Sequence, residues 1–140
     1  MFRNSIEIAV EWGDCDPAGI VFYPNYFRWF NQGAHALFGA AGMPFHKMIE
    51  DHGVIGVPML DTQASFKAPA RFGDVVILTS RIAEWRNRSL VIAHEISKDG
   101  QLCVEGRDIR AWVAQDQTAP NGIRAVPIPD DVKRRFQDGA

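Results

Sequence analysis

From Ser5 to Trp12 the chain alternates. Ile6, Ile8 and Val10 fall on one side, and Glu7, Ala9 and Glu11 on the other, which predicts a half-buried strand. From Pro24 to Gly42 the period lengthens. Tyr26, Phe27, Phe30, Ala34, Leu37, Phe38 and Ala41 recur at three- and four-residue steps, as one face of a helix does. Pro24 suits a first helical turn, and Gly39, Gly42 and Pro44 supply stop signals. Gly33 inside this helix costs about 1 kcal/mol relative to alanine, tolerable where another element approaches closely. Phe45 to Gly53 reads as a short second helix or turn. Four strand-like runs follow: Val54 to Phe66, interrupted by Pro58; Asp74 to Trp85; Ser89 to Ser97; and Gln101 to Ala114. The "KDG" between the last two is a hairpin signal. "QDQTAPNG" reads as a loop, and "RAVPIPDDVKRRF" as a short ending with a helical tail.

The order is strand, long helix, four strands, and the last three strands are joined by short turns. An α+β fold follows, with one long helix against a curved antiparallel sheet. One helix covers only one sheet face, so a second copy of the chain is expected to bury the other face or an edge. No repeat, linker or low-complexity tract divides the chain, so residues 1–140 are expected to form one domain.

Composition narrows the functional classes. The 140 residues are 46% hydrophobic and 23% charged, with a formal net charge of -2. This balance suits a soluble globular domain and gives no bulk attraction to nucleic acid or to an anionic membrane. No apolar run approaches a membrane span, and no secretion signal is evident at the N-terminus. Cys15 and Cys103 are therefore expected to be free thiols in the cytoplasm. His35, His46, His52 and His94 lack metal-ligand spacing and read as structural or surface residues. No G-x-S-x-G motif is present, so a serine hydrolase of the α/β type is not expected. Trp12, Trp29, Trp85 and Trp112 read as core or interface aromatics.

The joint between the first strand and the long helix is "GDCDPAG", with acids at Asp14 and Asp16. Asp16 before Pro17 fits a helix cap, and Asp14 a turn residue or solvated acid. The same joint also holds the parts of a catalytic site. A helix N-terminus near Tyr23 offers unpaired N–H groups that can polarise a carbonyl. A carboxylate beside such a carbonyl can attack it or activate water. Cys15 is a second nucleophile by type, but no partnered base is evident for it.

"GDCDPAGIVFYPNYFRWF" resembles the signature of the hotdog-fold acyl-CoA thioesterases of the 4-hydroxybenzoyl-CoA thioesterase family, in its aspartate-using type. The resemblance continues through "GVIGVPMLDTQASFKAPARFGD" and "EWRNRSLVIAHEI" and covers nearly the whole chain. It implies a five-stranded antiparallel sheet wrapped around one long helix. It implies homodimers that commonly pair into homotetramers, active sites at subunit interfaces, an acyl-CoA substrate and no metal or other cofactor. Asp16 falls on the family's catalytic carboxylate, and Tyr23 on the backbone N–H that polarises the thioester carbonyl. Arg86, Arg88 and Ser89 match positions that hold the nucleotide end of coenzyme A, where arginine forks suit phosphates. Asn87 stands where a basic residue can occur. In the hydroxybenzoyl enzymes an acid on the long helix and a threonine before the second-strand proline lie near the aryl hydroxyl. Asn31 and Val57 occupy those positions here, and valine cannot hydrogen-bond a phenol. The implied reaction is hydrolysis of an aryl-CoA such as 4-hydroxybenzoyl-CoA. Short-chain acyl-CoA, dihydroxynaphthoyl-CoA and acyl-CoA binding without hydrolysis stand as alternatives.

Overall fold

The computed structural model describes residues 2–137 of the chain. Strand β1 (Arg3–Ala9) leads through the joint into helix α1 (Pro24–Ala40) and the short helix α2 (Phe45–His52). Strands β2 (Val54–Gly56), β3 (Met59–Phe66), β4 (Val75–Trp85), β5 (Ser89–Lys98) and β6 (Gln101–Ala111) follow. The chain continues with β7 (Val113–Gln115), β8 (Ile123–Ala125) and helix α3 (Asp130–Arg134). Five strands form one antiparallel sheet in the order β1-β4-β5-β6-β3.

Two of the expected strands are each divided. Val54–Phe66 breaks at Val57 and Pro58, after Gly56 with φ +148°. Proline lacks the N–H that would continue the ladder. The first piece, β2, joins β7 and β8 in a small second sheet, while β3 joins the edge of the large one. The last run breaks at Trp112, whose N–H donates to the Arg88 carbonyl and whose carbonyl accepts from Val126. The expected helical tail is present as α3.

The long helix buries the face that its period predicted: Tyr26, Phe30, Ala34, Leu37 and Phe38. Two apolar clusters lie beneath it. One contains Leu37, Phe38, Ile82, Leu90, Ile92 and Trp112, and the other Tyr26, Phe30, Val76, Leu78, Ile96 and Val104. The strands pass from one cluster to the other, and polar residues occupy the inward positions between. These are Ser80 on β4, between Leu78 and Ile82, and His94 on β5, between Ile92 and Ile96. On β6 they are Asp108 and Arg110, between Val104 and Trp112. Here the helix comes closest to the sheet. A Cβ on Gly33 would stand 2.7 Å from Leu78 Cδ2 and Ser80 Oγ, and one on Gly106 2.3 Å from Phe30 Cζ. Glycine at 33 is the close approach that offsets its poor helix propensity.

Trp29 and Trp112 are core residues and Trp85 is half-buried. Trp12 is 75% exposed, edge-on to Phe72 at 5.6 Å, and so is no part of the protomer core. Among the described residues strand β3 pairs only with β6. Its residues are almost all exposed, including Met59, Leu60 and Phe66. A long apolar edge of this kind is a template for another strand.

Candidate active site

The two acids of the joint have different fates. Both carboxylate oxygens of Asp14 are engaged. Its carboxylate accepts from the Glu11 N–H at 2.9 Å and from Arg28 Nη2 at 3.0 Å. Its carbonyl accepts from the Phe22 N–H at 2.9 Å and Asn25 Nδ2 at 2.8 Å. Asp14 therefore ties the joint to the first turn of α1. Asp16 is not a helix cap, since α1 begins eight positions later at Pro24 with Tyr23 as its N-cap. The Asp16 side chain accepts from the Ala18 N–H at 2.9 Å, an Asx turn. Its backbone is fixed by Asp16 N–H to the Ile20 carbonyl and Gly19 N–H to the Asp16 carbonyl, both 2.9 Å. A rigid loop thus presents a carboxylate with one oxygen engaged, partly exposed, in a cleft with Trp12, Cys15, Pro17 and Gly19.

Tyr23 lines a neighbouring apolar cleft of about 330 Å³ with Val21, Tyr26, Phe66 and Pro69. Among the described residues no backbone carbonyl accepts the Tyr23 N–H, and Pro24 contributes no N–H. The opening of α1 combines this donor with the positive end of the helix dipole. Cys15 is partly buried, and its thiol points to the Glu11 carbonyl at 3.7 Å. Cys15 and Cys103 are both free thiols.

Asn31 and Val57 share a different cleft, also about 330 Å³, with His35, Phe45, Pro58, Met59 and Arg110. The Tyr23 and Asn31 clefts share no lining residue. Arg110 is buried and donates from Nη1 to Asn31 Oδ1 at 3.2 Å and to the Val57 carbonyl at 3.4 Å. From Nε and Nη2 it donates to Asp108 Oδ2 at 3.1 and 2.9 Å. Asp108 also accepts from Thr62 Oγ1 at 2.9 Å and from His94 Nε2 at 2.9 Å. An ionised carboxylate only accepts, so His94 carries its proton on Nε2. Its Nδ1 lies 2.7 Å from the Ser80 hydroxyl, within hydrogen-bond distance. The ring stacks on Phe30 at 4.7 Å. Burial alone would push the Asp108 carboxyl up. The His94 bond and the His94 and Arg110 charges outweigh it and hold the carboxyl below its usual range. Partial burial, reinforced by the Arg110 charge, lowers His35. Among the described residues no three His, Cys, Asp or Glu side chains cluster as metal ligands would.

Arg86, Arg88 and Ser89 lie around the β4–β5 turn. Arg86 pairs with Glu84 at 2.9 Å, Arg88 is exposed, and the Ser89 carbonyl accepts the Arg86 N–H at 2.9 Å. The protomer therefore keeps the expected site residues in separate places: Asp16 and Tyr23 at the joint, Asn31 and Val57 under mid-helix, and the arginines on the turn. Arg110, which lines the Asn31 cleft, was not singled out from the sequence. The readable signal was that Asp108 and Arg110 fall on the inward register of β6, together with Val104 and Gly106.

The family model for the thioesterase-like superfamily matches residues 10–136. The chain belongs to that superfamily. It is 35% identical over 133 residues to 4-hydroxybenzoyl-CoA thioesterase of Pseudomonas sp. (strain CBS-3), covering 91% of this chain and 92% of that protein. A crystal structure of a 4-hydroxybenzoyl CoA thioesterase mutant complexed with 4-hydroxybenzoyl CoA superposes with TM-score 0.90 at 31% identity. That match covers 98% of this chain and 100% of the other. A gentisyl-coenzyme A thioesterase structure gives TM-score 0.80 at 31% identity, covering 96% and 100%. The fold is accordingly the hotdog: one long helix, α1, against the five-stranded antiparallel sheet.

Proposed function

We propose that this protein hydrolyses an aryl-CoA thioester, 4-hydroxybenzoyl-CoA or a close relative, to the free acid and coenzyme A. Thioester hydrolysis as the reaction class follows from the superfamily and from relatives named as thioesterases. The aromatic acyl group is supported by the names of the relatives and by an apolar cleft that contains a few convergent polar groups. The observation that carries the reading is the contrast at the joint. Both carboxylate oxygens of Asp14 are engaged, while Asp16 keeps an uncommitted carboxylate oxygen on a fixed loop of the joint that leads to Tyr23, whose N–H no backbone carbonyl accepts among the described residues.

In this reading the Tyr23 N–H and the positive end of α1 draw charge onto the thioester oxygen. Asp16 adds to the carbonyl carbon and forms a mixed anhydride that water opens, or it takes a proton from the attacking water. On either route the C–S bond breaks and coenzyme A leaves as a thiolate. Arg86, Arg88 and Ser89 hold the nucleotide end, and Asn31 and Val57 line the acyl pocket.

The site is completed by a second copy. Met59 borders the Asn31 cleft and Phe66 the Tyr23 cleft, at opposite ends of β3. Those ends lie about 24 Å apart at the usual rise of a strand. Two β3 edges paired antiparallel about a two-fold axis bring the Phe66 end of one copy beside the Met59 end of the other. Each joint then faces the acyl cleft of its partner. A homodimer, pairing further into a homotetramer, is the assembly this supports. Among the described residues no helix is long and apolar enough to cross a membrane.

Coenzyme A release, followed with a thiol reagent across 4-hydroxybenzoyl-, benzoyl-, acetyl- and hexanoyl-CoA, tests the function. An aryl ester should be hydrolysed with the highest kcat/KM. Release from none of the four, with binding retained, would leave an acyl-CoA-binding protein instead.

A further inference from the structure

Hydrolysis at Asp16 gives no task to the ions buried beneath α1. Asp108 and Arg110 are 0% and 3% exposed. A buried ion pair rarely makes a fold more stable than well-packed apolar residues of the same volume would. Strands needing only stability would carry leucine or isoleucine at these inward positions. The bonds around Arg110 are also graded. Its inner side is clamped to Asp108 at 2.9 and 3.1 Å, while its outer nitrogen reaches Asn31 and the Val57 carbonyl at 3.2 and 3.4 Å. The outer contacts are at the long limit for hydrogen bonds. One of their acceptors, Asn31, is an exposed residue of α1. That outer edge opens into the cleft of Phe45, Val57 and Met59.

We propose that Arg110 determines the acyl specificity of this enzyme, donating from Nη1 to a hydroxyl oxygen on the far side of an aromatic acyl group. The inference rests on the aryl-CoA reading above. The Asn31 amide oxygen stands where the ring hydroxyl binds, and it moves aside when the ring enters. Val57 offers the ring an apolar wall and no polar side chain, so the guanidinium supplies the partner that valine lacks. Asp108 is a positioning residue. It neutralises the arginine in a buried place and fixes the fork, and His94, Thr62 and Ser80 hold Asp108 in turn. A site whose buried donor is left without its acceptor discriminates against the ligand lacking that oxygen. This makes the difference between hydroxylated and plain rings a property of Arg110.

The test is made by binding, so that it does not depend on turnover. In full-length Asp16→Asn protein, calorimetry gives Kd for 4-hydroxybenzoyl-CoA and benzoyl-CoA. The hydroxylated ester should bind about tenfold or more tighter, the scale of one charge-assisted hydrogen bond. Adding Arg110→Lys keeps a cation beside Asp108 but removes the fork, and the ratio should fall to near one. Adding Asn31→Ala leaves Arg110 in place, and the ratio should persist. A ratio that survives Arg110→Lys, that vanishes with Asn31→Ala, or that is absent with Arg110 intact overturns the proposal. Where Arg110→Lys fails to fold by circular dichroism, the Asn31→Ala ratio decides alone. Absence of turnover in the wild type, with the binding ratio intact, would refute hydrolysis and leave the role of Arg110 standing.

Discussion

Asp16 and Asp108 are carboxylates set in opposite surroundings. Asp108 is buried, accepts from Thr62, His94 and Arg110, and is held ionised by His94 and Arg110. Asp16 is partly exposed and accepts one side-chain bond, from its own loop. A saturated carboxylate has no lone pair to offer a substrate, and its effect passes through whatever it holds. A carboxylate with a free oxygen on a rigid turn can attack or take a proton. Under the proposed function the comparison separates chemistry from positioning: Asp16 would react, and Asp108 would fix the arginine of the Asn31 cleft.

Perturbing each acid should therefore give a different phenotype. The largest effect on rate is expected from Asp16→Asn, a loss in kcat of roughly 10²–10⁴, the range of an acid–base or nucleophilic group. Its melting temperature should stay near wild type. Asp108→Asn should act on stability instead. It leaves Arg110 as an uncompensated buried charge, at a cost of about 3–5 kcal/mol, measured by urea unfolding. The same variant should alter the acid limb of the stability curve. The Asp108 carboxyl sits lower in the folded state than unfolded, so its contribution is full above the ordinary carboxylate range. That contribution is lost as pH falls through the depressed folded value. Asp74, lowered by its Lys98 bond, and Asp116, lowered by its Thr118 bonds, share the wild-type slope. Melts between pH 7 and 3 should show a shallower loss in Asp108→Asn.

A smaller effect is expected where the helix presses on the sheet. Gly106→Ala would drive a methyl into Phe30, which is fully buried and stacked on His94. Overpacking of this kind costs about 1–3 kcal/mol. A melting temperature unchanged by Gly106→Ala would mean that Phe30 can yield, and that the contact does not fix the stacked ring. The smallest effect belongs to Asp14→Asn. It weakens an exposed pair with Arg28, worth at most about 1 kcal/mol, and leaves the backbone bonds of the joint in place.

The joint was legible because two signals changed within it. The period shifted from two to between three and four, and the residues there match a long family signature. Pro58 marked an interruption of the Val54–Phe66 run, but not that its first piece joins a second sheet, and the break at Trp112 was not legible, since apolar residues continue across it. Only the hydrogen bonds of Trp112 to Arg88 and Val126 reveal the turn away from the large sheet. The expected capping role of Asp16 gave way because Pro24, not Pro17, occupies the first helical turn. The polar row beneath α1 was hidden for a different reason. Ser80, His94, Asp108 and Arg110 come from three strands, and only the pairing register brings them together. His94 therefore read on its own as a structural or surface residue, and nothing singled out Arg110.

The central claim concerns which acid of the joint reacts. The most direct measurement compares single-turnover release of coenzyme A from 4-hydroxybenzoyl-CoA by Asp14→Asn and Asp16→Asn, each with its Kd for the ester. Asp16→Asn should bind the ester and release almost no coenzyme A, while Asp14→Asn releases it within a few-fold of the wild-type rate. Rapid release by Asp16→Asn, or loss of release confined to Asp14→Asn, would contradict the account and move the chemistry off Asp16.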